Sequence, residues 1–189
     1  MKRLFIGIPI ESETAIQLAN RWSNNGILNL NRMAWTKPRN WHITLFFLGG
    51  TPESEIAMLE RSIGESFHEV PQFTTQLNGV GVFPEKGKSK VLWLGLKNLE
   101  PIMPAYAQLG DLLRKNGFLS DPKPLTPHLT LARIKSIHNR TSLELMLNEY
   151  QSFNFGTVDI SRITLFESKS TTAGVMYEPL FEKWLLKSY

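Results

Sequence analysis

The chain has 189 residues, 42% of them apolar and including 11 Phe and 5 Trp, enough for a sizeable core in one domain or two tightly coupled lobes. It contains no cysteine, which excludes disulfides and thiolate metal sites and is compatible with a reducing compartment. A net charge of +4 favours anionic partners, but only modestly, and does not by itself single out nucleic acid.

The first ten residues briefly resemble an export signal, but the apolar run is short, holds Pro9 and meets Glu11 and Glu13 at once. Residues 3–9 read instead as a first strand. No stretch approaches membrane-spanning length, so a cytoplasmic protein with no membrane partner is expected. Residues 13–24 read as a helix with Ala15, Leu18, Ala19 and Trp22 on one face and Ser12 as its cap. Residues 25–40, rich in Asn, Arg, Lys and Pro, read as a loop leading to a strand at 41–48 that Gly49-Gly50 ends. Thr51 is positioned to cap a following helix with Pro52 at its first position, and Ile56, Leu59, Ile63 and Phe67 form its apolar stripe.

Residues 73–83 and 90–96 read as a hairpin, joined by the basic, Gly-containing segment 84–89. Residues 101–116 carry Ile102, Ala105, Leu109, Leu112 and Leu113 at helical spacing, with Gly117 as a stop. A strand is expected at 128–134. Thr141-Ser142-Leu143-Glu144 reads as a capping box opening a helix, and strands at 157–168 and 174–181 close the chain. The order strand, helix, strand, helix, strand thus occurs at 3–83 and again at 90–168. This predicts one α+β domain over 1–189, built as two related lobes, with antiparallel or mixed sheets flanked by helices and a central cleft.

Two segments at corresponding places in the halves carry the chemistry: His42-Ile43-Thr44-Leu45 and His128-Leu129-Thr130-Leu131, 86 positions apart. Strand alternation sends each histidine and its threonine to one face and the aliphatic residues to the other. One His-x-Thr is weak; the repeat of all four positions is far less expected by chance. Paired imidazoles titrate near neutral pH and can act as acid and base around one phosphate, while the hydroxyls hold its oxygens. This scheme needs no metal or cofactor, and the four histidines lack metal-ligand spacing. His68 and His138 have no threonine two places on and read as surface residues. Arg133, five places after His128, would face away under strict alternation unless a bulge redirects it. Lys37, Arg39, Lys86, Lys88 and Lys90 are candidates to line the approach of an RNA backbone, although a solvated loop is the commoner use of such charges. Trp35, Trp41 and Phe47 flank the first motif, but parity puts Phe46, rather than Trp41 or Phe47, on the face of His42; no stacking residue is assigned.

The chain resembles the two-histidine phosphoesterases, and specifically the RNA 2′,3′-cyclic phosphodiesterase (LigT-like) branch. The resemblance spans nearly the whole chain: Arg3-Leu4-Phe5-Ile6, Trp41 to Gly49 around the first motif, Leu92 to Leu96, Pro127 to Arg133 around the second, and Leu165-Phe166-Glu167-Ser168 with Gly174 and Tyr177. It implies a bilobal fold with the motifs facing each other across a groove. It implies His42 as proton donor to the leaving 3′ oxygen and His128 as the base that activates water. Thr44, Thr130 and Arg133 would hold the phosphate. The implied partner is RNA ending in a 2′,3′-cyclic phosphate and the product a 2′-phosphomonoester, with 2′,5′ joining as a reverse-type reaction of the family; separately, a monomer is expected. Trp41 stands where a smaller apolar residue is frequent, and Leu125-Thr126 precedes Pro127 where an aromatic or another polar residue is common. Competing readings are a small cyclic nucleotide or 2′,5′-linked oligonucleotide as substrate, and a noncatalytic RNA-end binding module.

Overall fold

The computed structural model describes residues 1–24, 31–84, 90–118, 125–172 and 174–187. Among these, nine strands and four α-helices follow in the order β1 (Lys2–Pro9), α1 (Glu13–Asn24), β2 (Asn31–Trp35), β3 (His42–Thr51), α2 (Ile56–Ser66), β4 (Phe73–Pro84), β5 (Lys90–Lys97), α3 (Met103–Lys115), β6 (His128–Ile137), α4 (Arg140–Tyr150), β7 (Asn154–Ile160), β8 (Arg162–Thr171) and β9 (Gly174–Trp184). The α+β architecture expected from the sequence is the one observed. The strands join in one antiparallel sheet in the order β7-β4-β5-β6-β3-β1-β8-β9, with β2 added beside β6.

Local sequence explains most of these elements. Ser12 caps α1, its hydroxyl accepting from the Ala15 N–H at 3.2 Å, and Ala15 and Trp22 are buried on the expected face. Leu59, Ile63 and Phe67 bury the stripe of α2, which packs on α3. Gly117 ends the segment after α3 at a φ of 79°, a conformation that favours glycine. Behind the sheet lie Leu4, Ile6, Ile8, Ile43, Leu94 and Leu129, all fully buried.

Four expectations are corrected. Part of the 25–40 loop is a strand: β2 pairs with β6 from Asn31 opposite Ile137 to Trp35 opposite Ala132, because Met33 and Trp35 have core to pack against; residues 25–30 lie outside the described residues. Thr51 does not cap a helix. It is buried at the end of β3, opposite Lys2; Gly49-Gly50 lie inside the strand, and extended Pro52 leads through a 3-10 turn at Glu53–Glu55 before α2 begins. Asn139, not Thr141, caps α4, its side-chain oxygen accepting from the Ser142 N–H at 2.9 Å. The expected strand 157–168 is two strands broken at Ser161, because its parts serve distant places: β7 pairs with β4, and β8 with β1.

The strand order is palindromic about the β6–β3 seam: β5 and β1 flank it, then β4 and β8, then β7 and β9. The last strand of each sequence half is therefore exchanged, β4 pairing with β5 of the later half and β8 with β1 of the earlier one. The sheet curls strongly enough for α1 to meet both ends. Glu13 and Ile16 share a cavity wall with Pro179 and Glu182 of β9, while Trp22 lies edge-on to Phe155 of β7.

Candidate active site

The two motifs sit on the two central strands. Ile43 pairs with Leu129 across the antiparallel seam. By strand geometry the flanking positions then place His42 toward Thr130 and Thr44 toward His128. The four side chains form a quadrangle on one face, each half-buried, while Ile43, Leu45, Leu129 and Leu131 are buried behind. Beside such a quadrangle a tetrahedral phosphate can meet two imidazoles and two hydroxyls together.

Each imidazole is held the same way. His42 Nδ1 lies 2.7 Å from the Asn40 carbonyl oxygen and His128 Nδ1 2.7 Å from that of Thr126. A carbonyl only accepts, so Nδ1 carries the proton in both rings, and each neutral ring keeps its Nε2 lone pair for chemistry. Their surroundings differ. His42 is ringed by Phe5 at 4.7 Å, Tyr177 edge-on at 4.9 Å and Phe166 at 6.0 Å. Burial in this collar pushes its pKa down to about 4; the Asn40 carbonyl opposes the shift and the nearby His128 adds to it. His128 has Phe83 edge-on at 4.9 Å, which itself leans on Trp93 at 5.0 Å.

Both motifs carry a bulge at the same place. Along β3, Gly7 faces Thr44 and Ile6 faces Phe46, so Leu45 is skipped. Along β6, Trp93 faces Thr130 and Leu92 faces Ala132, so Leu131 is skipped. Each extra residue shifts the alternation by one. Leu131 and Ala132 are consecutively buried, and Arg133 comes out on the face of His128 and Thr130. The parity assignment at the first motif is reversed by the same device. Phe46 is buried and stacked on Tyr106 of α3 at 4.6 Å, whereas Phe47 is 74% exposed on the face of His42 and Thr44.

Sequence reasoning missed the supports. Asn40 is buried: its side-chain NH2 donates to the Val175 carbonyl at 2.8 Å, and its oxygen accepts from the Tyr177 N–H at 3.4 Å. The residue whose carbonyl holds His42 is thus stitched to β9, the strand that supplies Tyr177. Gly7 lets β1 pass close behind His42: a Cβ there would lie 2.7 Å from the Ile43 oxygen and 3.4 Å from His42 Cδ2. A lone Asn two places before a histidine, or a Gly inside an apolar strand, gives no signal without the partner strand.

Lys37 and Arg39 are exposed, and Arg39 lines a cavity of about 660 Å³ beside Tyr177 and Phe166. Lys86 and Lys88 lie outside the described residues, and Lys90 opens β5. Trp35 packs on the core, and Trp41 is buried with its indole N–H donating to the Thr36 carbonyl. His68 and His138 are exposed, near Glu65 and Ser136. Among the described residues, no group of three or more His, Cys, Asp or Glu is gathered as metal ligands would be, and no helix is long and apolar enough to cross a membrane.

Residues 31–172 match the family described as the 2′-5′ RNA ligase superfamily. A protein of Methanothermobacter thermautotrophicus named RNA 2′,3′-cyclic phosphodiesterase is 30% identical over 146 residues, 77% of this chain and 79% of its own. A Thermotoga maritima protein of the same name is 28% identical over 183 residues, 95% of this chain and 94% of its own. In fold, the chain is similar to E. coli LigT in apo form, with a TM-score of 0.75 at 23% identity, covering 98% of each chain.

Proposed function

This chain belongs to the 2′-5′ RNA ligase superfamily, and from that premise we propose that it hydrolyses 2′,3′-cyclic phosphodiester ends of RNA to 2′-phosphomonoesters, as a monomer in the cytoplasm. The observation that carries the reading is the quadrangle of His42, Thr44, His128 and Thr130, with Nδ1 of each ring tied to a carbonyl. His128 Nε2 takes a proton from water as the water oxygen bonds to phosphorus. The bond from phosphorus to the 3′ oxygen breaks, and that oxygen receives the proton from His42. Thr44, Thr130 and Arg133 face the non-bridging oxygens, where charge grows. Proton exchange with solvent then resets the two rings. The same groups, run in the same direction with an RNA 5′-hydroxyl in place of water, would deprotonate that hydroxyl, protonate the leaving 3′ oxygen and join ends through a 2′,5′ linkage.

The pKa of His42 favours a second assignment of roles. Burial keeps that ring neutral at pH 7 in the unliganded protein, which suits a base, so either the phosphate charge recharges it on binding or the roles are exchanged. A substrate with sulfur at the leaving 3′ position separates the two, because a thiolate needs no proton. Rescue of His42→Ala alone makes His42 the donor; rescue of His128→Ala alone exchanges the roles.

The function itself is tested with a short RNA ending in a 2′,3′-cyclic phosphate, incubated with the protein and a chelator, with His128→Ala alongside. The expected outcome is conversion to a phosphatase-sensitive 2′-phosphate by the unsubstituted protein alone, with a bell-shaped pH dependence. Loss of turnover with the chelator would overturn the metal-free scheme. Bound but unconverted RNA would instead indicate a binding module.

A further inference from the structure

We infer that Lys135 and Arg32 carry the RNA backbone on the 5′ side of the cyclic end, so that oligonucleotides are preferred over mononucleotides; this rests on the phosphodiesterase reading above. β3 meets β6 at Ile43 and Leu129, and β2 takes over the same flank of β6 from Ala132 to Ile137. The floor of the groove therefore continues past Thr130 and Arg133 onto β2. Met33 and Ile134 face each other and pack on the core. Alternation then turns Arg32 and Lys135 to the opposite face, the one that carries Arg133. A bulge sets them side by side: Met33 faces Ile134 but Arg32 faces Ser136, so Lys135 is the extra residue. Both side chains are exposed, and among the described residues neither joins an ion pair.

The spacing fits successive phosphates. Thr130 faces Trp93 and Arg133 faces Val91, two residue steps apart on β5, and Lys135 lies two steps beyond Arg133; two steps span about 7 Å. That is close to the separation of neighbouring phosphates in an extended single strand. With the cyclic phosphate among the histidines and threonines and Arg133 at its edge, the next phosphate toward the 5′ end falls over Lys135 and Arg32. Cations on a backbone phosphate add affinity without reading a base, and that affinity falls with salt. Arg3 marks the other way out of the groove: it is exposed at the far end of β1, opposite Gly50 and on the face of Phe5. The β2 end offers Arg133, Lys135 and Arg32 in a row, which places the body of the RNA there.

The experiment compares adenosine 2′,3′-cyclic phosphate, which has no phosphate on its 5′ side, with a trinucleotide carrying the same cyclic end, using the intact protein, Arg32→Gln combined with Lys135→Gln, and Arg3→Gln. The intact protein should prefer the trinucleotide in kcat/KM. The paired substitution should shrink that preference about fivefold or more, the scale of two exposed charge pairs, and Arg3→Gln should leave it as it is. No preference in the intact protein, an equal loss on both substrates, or a preference that only Arg3→Gln reduces would overturn the inference. Binding provides a readout independent of turnover. For a trinucleotide ending in a 2′-phosphate, the slope of log affinity against log salt should be shallower by about 1.4 in the paired variant, the loss of two contacts to single-stranded nucleic acid. A shallower slope upholds the track even where the cyclic ends are not substrates; an unchanged slope sinks it.

Discussion

His42 and His128 are held by the same hydrogen bond yet differ in burial, and their substitutions should differ accordingly. Each alanine variant should lose at least about a hundredfold in turnover, since general acid–base groups contribute roughly 10²–10⁴, and circular dichroism should show both still folded. His42→Ala should melt lower than His128→Ala, because it empties a space among Phe5, Phe166 and Tyr177. Burial also couples His42 to acid stability. Its folded pKa of about 4 lies below the ordinary 6.5, so between these values the unfolded chain binds the extra proton. The contribution is complete above pH 6.5 and lost as pH falls toward 4, a loss on the order of 3 kcal/mol. Urea unfolding at pH 7 and pH 4 should show that decrease, reduced in His42→Gln; the same pH dependence in both would show that other groups control it.

At the scale of elements, the site depends on backbone irregularities more than on regular strand. Gly7→Ala should force β1 from β3, with a lower melting temperature and a fall in turnover, because the new Cβ meets the Ile43 oxygen at 2.7 Å. Asn40→Ala removes two hydrogen bonds to β9 and should cost about 1–3 kcal/mol in denaturant unfolding. If catalysis depends on this stitch, kcat should fall at saturating substrate and the pH profile should move, as release of the collar rehydrates His42. A loss of stability with an unchanged pH profile would make Asn40 a structural residue only. These irregularities also mark how much of the site was legible. Period-two alternation correctly paired His42 with Thr44 and His128 with Thr130, because both pairs precede the bulge. It failed for Phe46 and Phe47, which follow it, and left Arg133 open for the same reason. A bulge is a relation between two strands, and one strand's sequence does not display it. Asn139 as a cap, two residues ahead of a plausible capping box, was hidden because two adjacent signals competed, and the hydrogen bond forms at the first.

Across the whole molecule, the α+β class was readable from hydrophobic spacing. The exchange of β4 and β8 was not, because each strand is equally apolar whichever lobe receives it. The exchange gives His42 a wall from late in the chain. Phe166 comes from β8 and Tyr177 from β9, the same strand that Asn40 holds. A chain cut after residue 160 keeps both motifs, Thr44, Thr130 and Arg133, but lacks that wall. It should show less than about one hundredth of full turnover, the scale expected when an acid–base group is lost, and adding a 161–189 peptide should restore part of it. A cut chain with full activity would make the exchanged strand dispensable. Protein synthesis runs from the amino terminus, so a ribosome-bound chain carries both motifs well before the strands that finish the site emerge. Until β8 and β9 are made, His42 stands without Phe166 and Tyr177 against its ring.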